Sequence, residues 1–181
     1  MKTKTADCVN KRIESVKDLL EQVYLDGYNA GYQDGQGVKK EPLTDDEWVD
    51  LGLPSGTLWS KNYLKDDENQ VMYLTYDEAS KYSLPTKEQL DELKNFCVIK
   101  TNGFNVLFQG INGSILVIPY KGYKAFGSMQ EYNDHGYFWI ETSDPSKLYV
   151  DCGATSKINY SQPRVSMFKG NGLPIMLVRK K

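Results

Sequence analysis

The amino-acid sequence predicts an α+β domain preceded by an N-terminal helix. Three observations lead to this prediction. Apolar residues near the start have heptad spacing, two helix-capping patterns follow between residues 75 and 89, and from residue 104 the chain alternates short apolar stretches with turn residues. Helices first and strands afterwards are typical of the α+β class. A chain of 181 residues accommodates one domain of ordinary size and a tail.

The N-terminal segment carries an apolar seam with gaps of 4, 3, 4 and 3 residues, surrounded by charged side chains. The seam consists of Val9, Ile13, Val16, Leu20 and Val23, and the same count continues to Gly27. We expect residues 1–37 to form a coiled-coil helix that assembles a homo-oligomer, with a trimer favoured, or that docks on a partner. Because the seam covers only about two heptads, an amphipathic helix packed on its own domain is the alternative.

The motif Tyr-x-x-Gly is written three times between residues 24 and 35. A four-residue repeat keeps the tyrosines, and separately the glycines, along one side of a helix. Each glycine costs a helix roughly 1 kcal/mol relative to alanine. We therefore predict a helix to about Gly31, with a flexible stalk as the alternative. Residues 38–47 are polar, contain a proline and predict a linker, so that residues 48–181 form the domain.

Two short helices are predicted early in the domain, after a strand, a Pro-Ser-Gly turn and a second strand in WVDLGLPSGTLW, residues 48–59. Thr75 and Glu78 have the spacing of a capping box, and Thr86 and Gln89 repeat it. The buried face of the second helix is expected to consist of Leu90, Leu93 and Phe96.

The rest of the chain predicts antiparallel strands, with a tight turn at Asn112-Gly113. The predicted strands lie in GFNVLFQG (103–110), SILVIPYKGY (114–123), GYFWIETSD (136–144), KLYVDC (147–152), RVSMF (164–168) and LPIMLVRK (173–180).

Composition argues against several classes of function. With 22 basic and 24 acidic residues, the net charge of −2 gives no strong field for nucleic acid or an anionic membrane. No stretch reaches the ~18 apolar residues of a membrane span, so membrane insertion is not expected. Cys8, Cys97 and Cys152 have no CxxC spacing, and we expect no metal or other cofactor. The start carries no secretory signal pattern, which favours synthesis in a reducing cytoplasm.

Several stretches of the domain are similar, in order, to the motifs of a known family. WVDLGLPSGTLW, LPTKEQLDELKNFC, NGSILVIPYKGY, GYFWIETSD and PIMLVRK resemble those of the Fibrobacter-type major paralogous domain, which is common in Bacteroidota and their phages. The resemblance covers residues 48–181. The order of TYDEASKY and LPTKEQLDEL also looks like a divergent formylglycine-generating-enzyme domain, which implies a C-type lectin-like fold.

The resemblance implies specific contacts in that fold. VDLGLP would pair with IMLVRK, because the first and last strands of the fold are neighbours. Trp59 and Trp139 would be core residues. A loop region with a small second sheet would form the ligand face, and residues 156–172 would lie on it.

Candidate ligand contacts are polar and aromatic. In the predicted ligand-face segment they are Asn159, Tyr160, Gln162 and Arg164, which offer donors, acceptors, an aromatic ring and a planar cation. Tyr132 and His135, the latter in a predicted loop, are further candidates. A solvated loop without a ligand is the alternative for the segment.

Enzymatic and calcium sites are not favoured by these residues. Formylglycine-generating enzymes use a cysteine pair in the C-terminal half, where this chain has only Cys152. A calcium-dependent sugar site is argued against because Arg164 follows Gln162-Pro163, where a carboxylate or amide ligand is needed.

The expectation is therefore a non-enzymatic binding or display module. The resemblance and the helix-plus-domain plan favour a phage virion protein of the tail, baseplate or head decoration, active in adhesion and receptor binding. Its partners would be other virion proteins, through the helix, and a bacterial surface glycan or protein. The alternatives are a cement protein without an external ligand and a cell-surface lectin-like protein of a Bacteroidota bacterium.

Overall fold

The computed structural model describes residues 43–156 and 165–181, and of Ser156 and Val165 only the backbone. Within these residues the protein is mostly β, with two short α-helices and several small antiparallel sheets. The predicted N-terminal helix, its oligomerisation seam and the candidates Asn159, Tyr160, Gln162 and Arg164 lie outside the described residues. In the described part of the chain, no helix has the length and apolar character needed to cross a membrane.

Both predicted helices begin at their predicted capping boxes. Helix α1 (Tyr76–Ala79) follows Thr75, whose backbone N–H donates to the Glu78 carboxylate over 2.9 Å. Helix α2 (Lys87–Phe96) follows Thr86, whose backbone N–H donates to Oε1 of Gln89 over 2.8 Å while Gln89 N–H donates to Oγ1 of Thr86 over 3.3 Å. These reciprocal bonds satisfy N–H groups that the first turn of a helix leaves without partners.

The predicted buried face of α2 is correct for two of its three residues. Leu90 and Leu93 are buried, but Phe96 is 47% exposed. Phe96 is the last residue of the helix, and the chain becomes extended at Cys97. Because the helical period ends there, Cys97 rather than Phe96 packs against the core.

The N- and C-terminal parts of the domain meet in one sheet. It contains β1 (Trp48–Asp50), β2 (Thr57–Ser60) and β11 (Val178–Lys180), in the order β1-β2-β11. The predicted pairing of VDLGLP with IMLVRK is therefore wrong, because β11 pairs with β2. A turn closed by Gly56 N–H donating to Leu53 O, at 2.9 Å, folds β2 back on β1 and places it in the centre.

A second sheet follows α2 and consists of β3 (Val98–Thr101), β4 (Asn105–Gln109) and β5 (Ile115–Pro119). The predicted turn at Asn112-Gly113 is confirmed: Gly113 N–H donates to Gly110 O over 3.0 Å, and Gly113 has φ +84°. Strand β3 was not predicted, because it follows α2 without an intervening turn signal.

Two further sheets complete the described fold. A hairpin joins β6 (Tyr123–Ala125) to β7 (Ser128–Gln130), and β7 was not predicted, because its residues show no apolar alternation. The other sheet contains β8 (His135–Trp139), β9 (Tyr149–Ser156) and β10 (Val165–Phe168). Its order is β10-β9-β8. The prediction of His135 as a loop residue is wrong, since it begins β8 opposite Ser156.

Two hydrophobic cores lie on either side of β8. The first core includes Val49, Leu51, Trp59, Leu90, Leu93, Val106, Phe108, Leu116, Ile118, Phe138, Ile140 and Met176. The second core includes Tyr76, Ala79, Leu84, Tyr137, Trp139, Val150, Cys152, Leu173 and Ile175. Successive side chains of a strand point to opposite faces, so β8 and the residue after it supply both cores by alternation. The prediction that Trp59 and Trp139 are core residues is confirmed, since both are fully buried.

Candidate functional site

Four side chains form a surface that we call the tyrosine–lysine face: Tyr73, Lys121, Lys124 and Tyr132. Nζ of Lys124 lies 4.9 Å from the centre of the Tyr73 ring. Nζ of Lys121 lies 5.2 Å from the centre of the Tyr132 ring and donates to its Oη over 3.2 Å. Oη of Tyr73 in turn donates to Lys121 O over 2.8 Å. The Lys124 ammonium is thus held beside an aromatic ring, an arrangement that favours a cation, whereas the Lys121 ammonium is held by the Tyr132 hydroxyl.

Backbone contacts hold this face in place. Lys124 N–H donates to Gly172 O over 2.7 Å, and Gly172 N–H donates to Lys124 O over 2.9 Å. A similar pair of bonds joins Leu74, the neighbour of Tyr73, to Leu173. Gly122 has φ +58°, and a Cβ atom there would lie 2.0 Å from Gln130 O, so only glycine lets the chain pass at this point. The side chains of the face therefore stand on a fixed backbone.

A part-buried carboxylate–phenol contact adjoins the face. Tyr137 donates its phenolic hydrogen to Oε2 of Glu131 over 2.6 Å. Nδ1 of His135 lies 2.9 Å from the same oxygen but does not form a hydrogen bond with it. His135 stacks on Tyr137 with ring centres 5.6 Å apart, and Tyr123 meets Tyr137 edge-on.

Burial raises the pKa of Tyr137 well above its ordinary value, and the hydrogen bond to the Glu131 carboxylate raises this pKa further. Burial likewise raises the pKa of Tyr73, to about 12. Both phenols are therefore neutral hydrogen-bond donors at neutral pH, as their contacts with Glu131 and Lys121 require.

The loops beside the face hold three non-glycine residues in the left-handed region of backbone conformation. They are Phe126 (φ 51°), Glu131 (φ 49°) and Asn133 (φ 65°). Phe126 and Gly127 form the two-residue tip of the β6–β7 hairpin, where asparagine and glycine are the favoured residues. The Phe126 side chain is 78% exposed. A bulky residue in this conformation costs of order 1 kcal/mol, and such strain is concentrated at ligand-contacting sites.

The structure places the two described candidates differently. Tyr132 belongs to the face and is 46% exposed. His135 stands beside the face and is held by contacts with Glu131 and Tyr137. Ser156, the last residue of β9, pairs with His135, and the other four candidates lie outside the described residues.

Three members of the face were not predicted from the sequence: Tyr73, Lys121 and Lys124. The run Tyr-Lys-Gly-Tyr-Lys, residues 120–124, alternates aromatic and basic side chains, a signal that could have identified the two lysines. Residues 120–123 of this run belong to the predicted strand SILVIPYKGY, because they continue its apolar stretch SILVIP.

The two described cysteines lie in different surroundings. Cys97 is half-buried and packs against the first core, whereas Cys152 is buried in the second core. Burial raises the pKa of the Cys97 thiol to about 11, and the nearby Glu92 carboxylate adds to the rise. The thiolate is the form that binds metals and reacts as a nucleophile, so this environment disfavours both roles.

We expect alkylation of Cys97 by iodoacetamide to be slow at pH 7. Because the raised pKa suppresses the thiolate, the rate should rise about tenfold for each pH unit towards pH 11. Peptide mapping by mass spectrometry measures Cys97 separately from Cys8, and the urea-unfolded chain is the control. A Cys97 rate in the folded protein that levels off near pH 8.5 would contradict the raised pKa.

A cleft of about 370 Å³ lies at the start of α2 and is lined by hydroxyl and charged side chains. Its lining residues are Thr86, Lys87, Glu88, Glu141, Thr142, Ser143 and Asp151. Across residues 43–156 and 165–181, no group of three or more His, Cys, Asp or Glu side chains is arranged to hold a metal ion. The cleft offers polar contacts of both signs, but it lacks the exposed aromatic rings of the tyrosine–lysine face.

A scan of protein-family models and searches of curated proteins and of solved structures found no match to this chain.

Proposed function

We propose that this protein is a non-enzymatic binding or display module with a C-type lectin-like domain of the Fibrobacter-type kind. It would serve in a phage virion and bind a bacterial surface glycan or protein. The observation that carries the proposal is the tyrosine–lysine face, in which Tyr132 stands 46% exposed beside an ammonium group that its own hydroxyl holds at 3.2 Å. Tyrosine contributes a large contact area at low entropic cost, which makes it a preferred residue of binding surfaces.

The arrangement of the elements supports a lectin-like class. The first and last strands share one sheet, two helices follow in the first half of the domain, and small antiparallel sheets come afterwards. In such a fold the buried cores make the domain rigid, so that the exposed residues can vary without changing the fold. The face here is built in this way, since Tyr137 and Trp139 of β8 lie in the second core while Tyr132, just before β8, is exposed.

The N-terminal segment is the part of the chain that we propose for assembly. Its apolar seam, Val9 to Val23 with the continuation to Gly27, would join copies of the chain, with a trimer favoured, or dock on another virion protein. Several copies of the domain on one particle would bind a repetitive surface far more tightly than one copy does, because the second contact is intramolecular.

The solution mass tests whether the N-terminal segment assembles the protein while the domain folds by itself. We expect the full chain to be an oligomer by light scattering and a chain beginning at Pro42 to be a folded monomer. The physical reason is that the apolar seam is removed while both described cores are retained. Circular dichroism and a melting curve are the folding controls. An unfolded truncated chain would contradict the proposal that the domain folds without the N-terminal segment. A monomeric full chain would mean that the helix docks on another protein.

A second candidate function is that of a cement protein in a larger particle. It is favoured by apolar side chains exposed on the β3–β4–β5 sheet, namely Val98 and Ile115. Exposed apolar residues on a sheet are typical of surfaces that become covered in an assembly. Particles that carry Tyr132→Ala separate the two functions: loss of adsorption to cells by intact particles supports receptor binding, whereas unchanged adsorption supports cement.

A further inference from the structure

We propose that the tyrosine–lysine face binds a saccharide bearing a carboxylate, with the sugar ring against Tyr132 and the carboxylate at Lys121. This inference rests on the proposed function as a binding module and names the chemical class of its ligand.

Tyr132 and Lys121 contact each other through the phenolic hydroxyl. Nζ of Lys121 is 3.2 Å from Oη of Tyr132 but 5.2 Å from the ring centre, so the ammonium lies at the hydroxyl end of the ring. A ring face and a positive charge therefore stand side by side on one exposed residue pair. The C–H face of a pyranose packs on an aromatic ring, and a carboxylate on that pyranose would project towards the ammonium.

The two ammonium groups of the face, Lys121 and Lys124, favour an anion. In the described parts of the chain, neither Lys121 nor Lys124 lies within ion-pair distance of a carboxylate, whereas Lys169, Arg179 and Lys181 each pair with an aspartate. Glu131, which adjoins the face, accepts the Tyr137 hydrogen bond. A neutral sugar would use the ring and leave both ammonium charges without a counterpart. A carboxylate would gain a charge-assisted hydrogen bond.

The lysines are also held in position before any ligand arrives. Lys121 is anchored at its carbonyl by Tyr73 and at its ammonium by Tyr132. Lys124 is fixed by paired backbone bonds to Gly172 and lies over the Tyr73 ring. Binding therefore costs less side-chain entropy than it would with freely rotating lysines.

Titration of the full chain with small saccharides tests the inference. We expect trigalacturonate or sialyllactose to bind, maltotriose to bind at least about tenfold more weakly, and the acidic complex to weaken as ionic strength rises to about 1 M, where the Debye length is about 3 Å. Isothermal calorimetry or saturation-transfer NMR measures the affinities.

Variants assign the binding to the face. Lys121→Gln should weaken binding of the acidic sugar about tenfold and leave maltotriose unchanged, because it removes one ammonium group and no ring. Tyr132→Ala should weaken both sugars. The matched controls are Lys94→Gln, on the last turn of α2, and Tyr149→Ala, a tyrosine that is 44% exposed at the start of β9. Neither control should change binding, and melting curves confirm that each variant folds.

Each contrary result has a distinct meaning. Equal binding of maltotriose and the acidic sugars would overturn the acidic class while the proposed binding function stands. Adsorption to host cells without binding of either acidic sugar would likewise overturn this inference alone. Absence of both cell adsorption and saccharide binding would overturn the proposed function as well. Tighter binding of a thymidine oligonucleotide than of the sugars, lost in Lys121→Gln, would assign the face to nucleic acid and overturn the saccharide.

Discussion

Replacing Gly110 with alanine is expected to destabilise the domain by more than about 4 kcal/mol, a large part of the 5–15 kcal/mol that holds a typical domain folded. A Cβ atom on Gly110 would lie 2.1 Å from the carbonyl oxygen of Leu51 and 2.8 Å from its Cα. These are backbone atoms of a fully buried residue, so no side-chain rotation relieves the clash. Gly110 is itself held by hydrogen bonds to Ser114 and Gly113.

Gly113→Ala is the matched control for this substitution. Gly113 lies in the same turn with φ +84°, yet no heavy atom comes within 4 Å of a Cβ built on it. Alanine there strains only the backbone, which costs about 1–2 kcal/mol. Urea unfolding of the two variants measures the difference in free energy. Similar losses in both would mean that the turn conformation, and not the approach of Leu51, makes glycine necessary at Gly110.

The elements that the sequence predicted correctly depend on neighbours along the chain. The boxes at Thr75 and Thr86 need only the residue three positions later, and the turn at Gly113 needs only its flanking strands. The position of β2 in the centre of its sheet was mispredicted. It depends on the pairing of β2 with Val178, which lies more than a hundred residues later in the chain. Local patterns do not encode that choice.

The candidate site follows the same rule. Tyr132 was predicted as a candidate, but its partner Lys121 was not. The two residues meet because the backbone at Gly122 passes against Gln130. Tyr73 joins the face through the pairing of Leu74 with Leu173. Apolar periodicity does not report such contacts, because polar surface residues obey no burial pattern.

The two buried tryptophans provide the second large prediction, since both are fully buried but differ in the hydrogen bonding of the indole N–H. Nε1 of Trp139 donates to Leu74 O over 2.6 Å, and its ring meets Tyr76 edge-on with centres 5.5 Å apart. Within the part of the chain that the structure describes, Nε1 of Trp59 has no hydrogen-bond partner. Burying an N–H group in this way costs about 1–3 kcal/mol.

We therefore expect Trp139→Phe to destabilise the domain by about 3 kcal/mol, of which about 1 kcal/mol is the lost hydrogen bond and the rest the cavity. Trp59→Phe should cost about 2 kcal/mol less, because it leaves a similar cavity but removes an unsatisfied N–H group. Since phenylalanine replaces tryptophan in both cores, the difference between the two losses of unfolding free energy isolates the contribution of the indole N–H group. Urea unfolding of both variants measures it. Equal losses would show that the Leu74 contact adds no stability, and that cavity formation alone determines the cost of losing either indole.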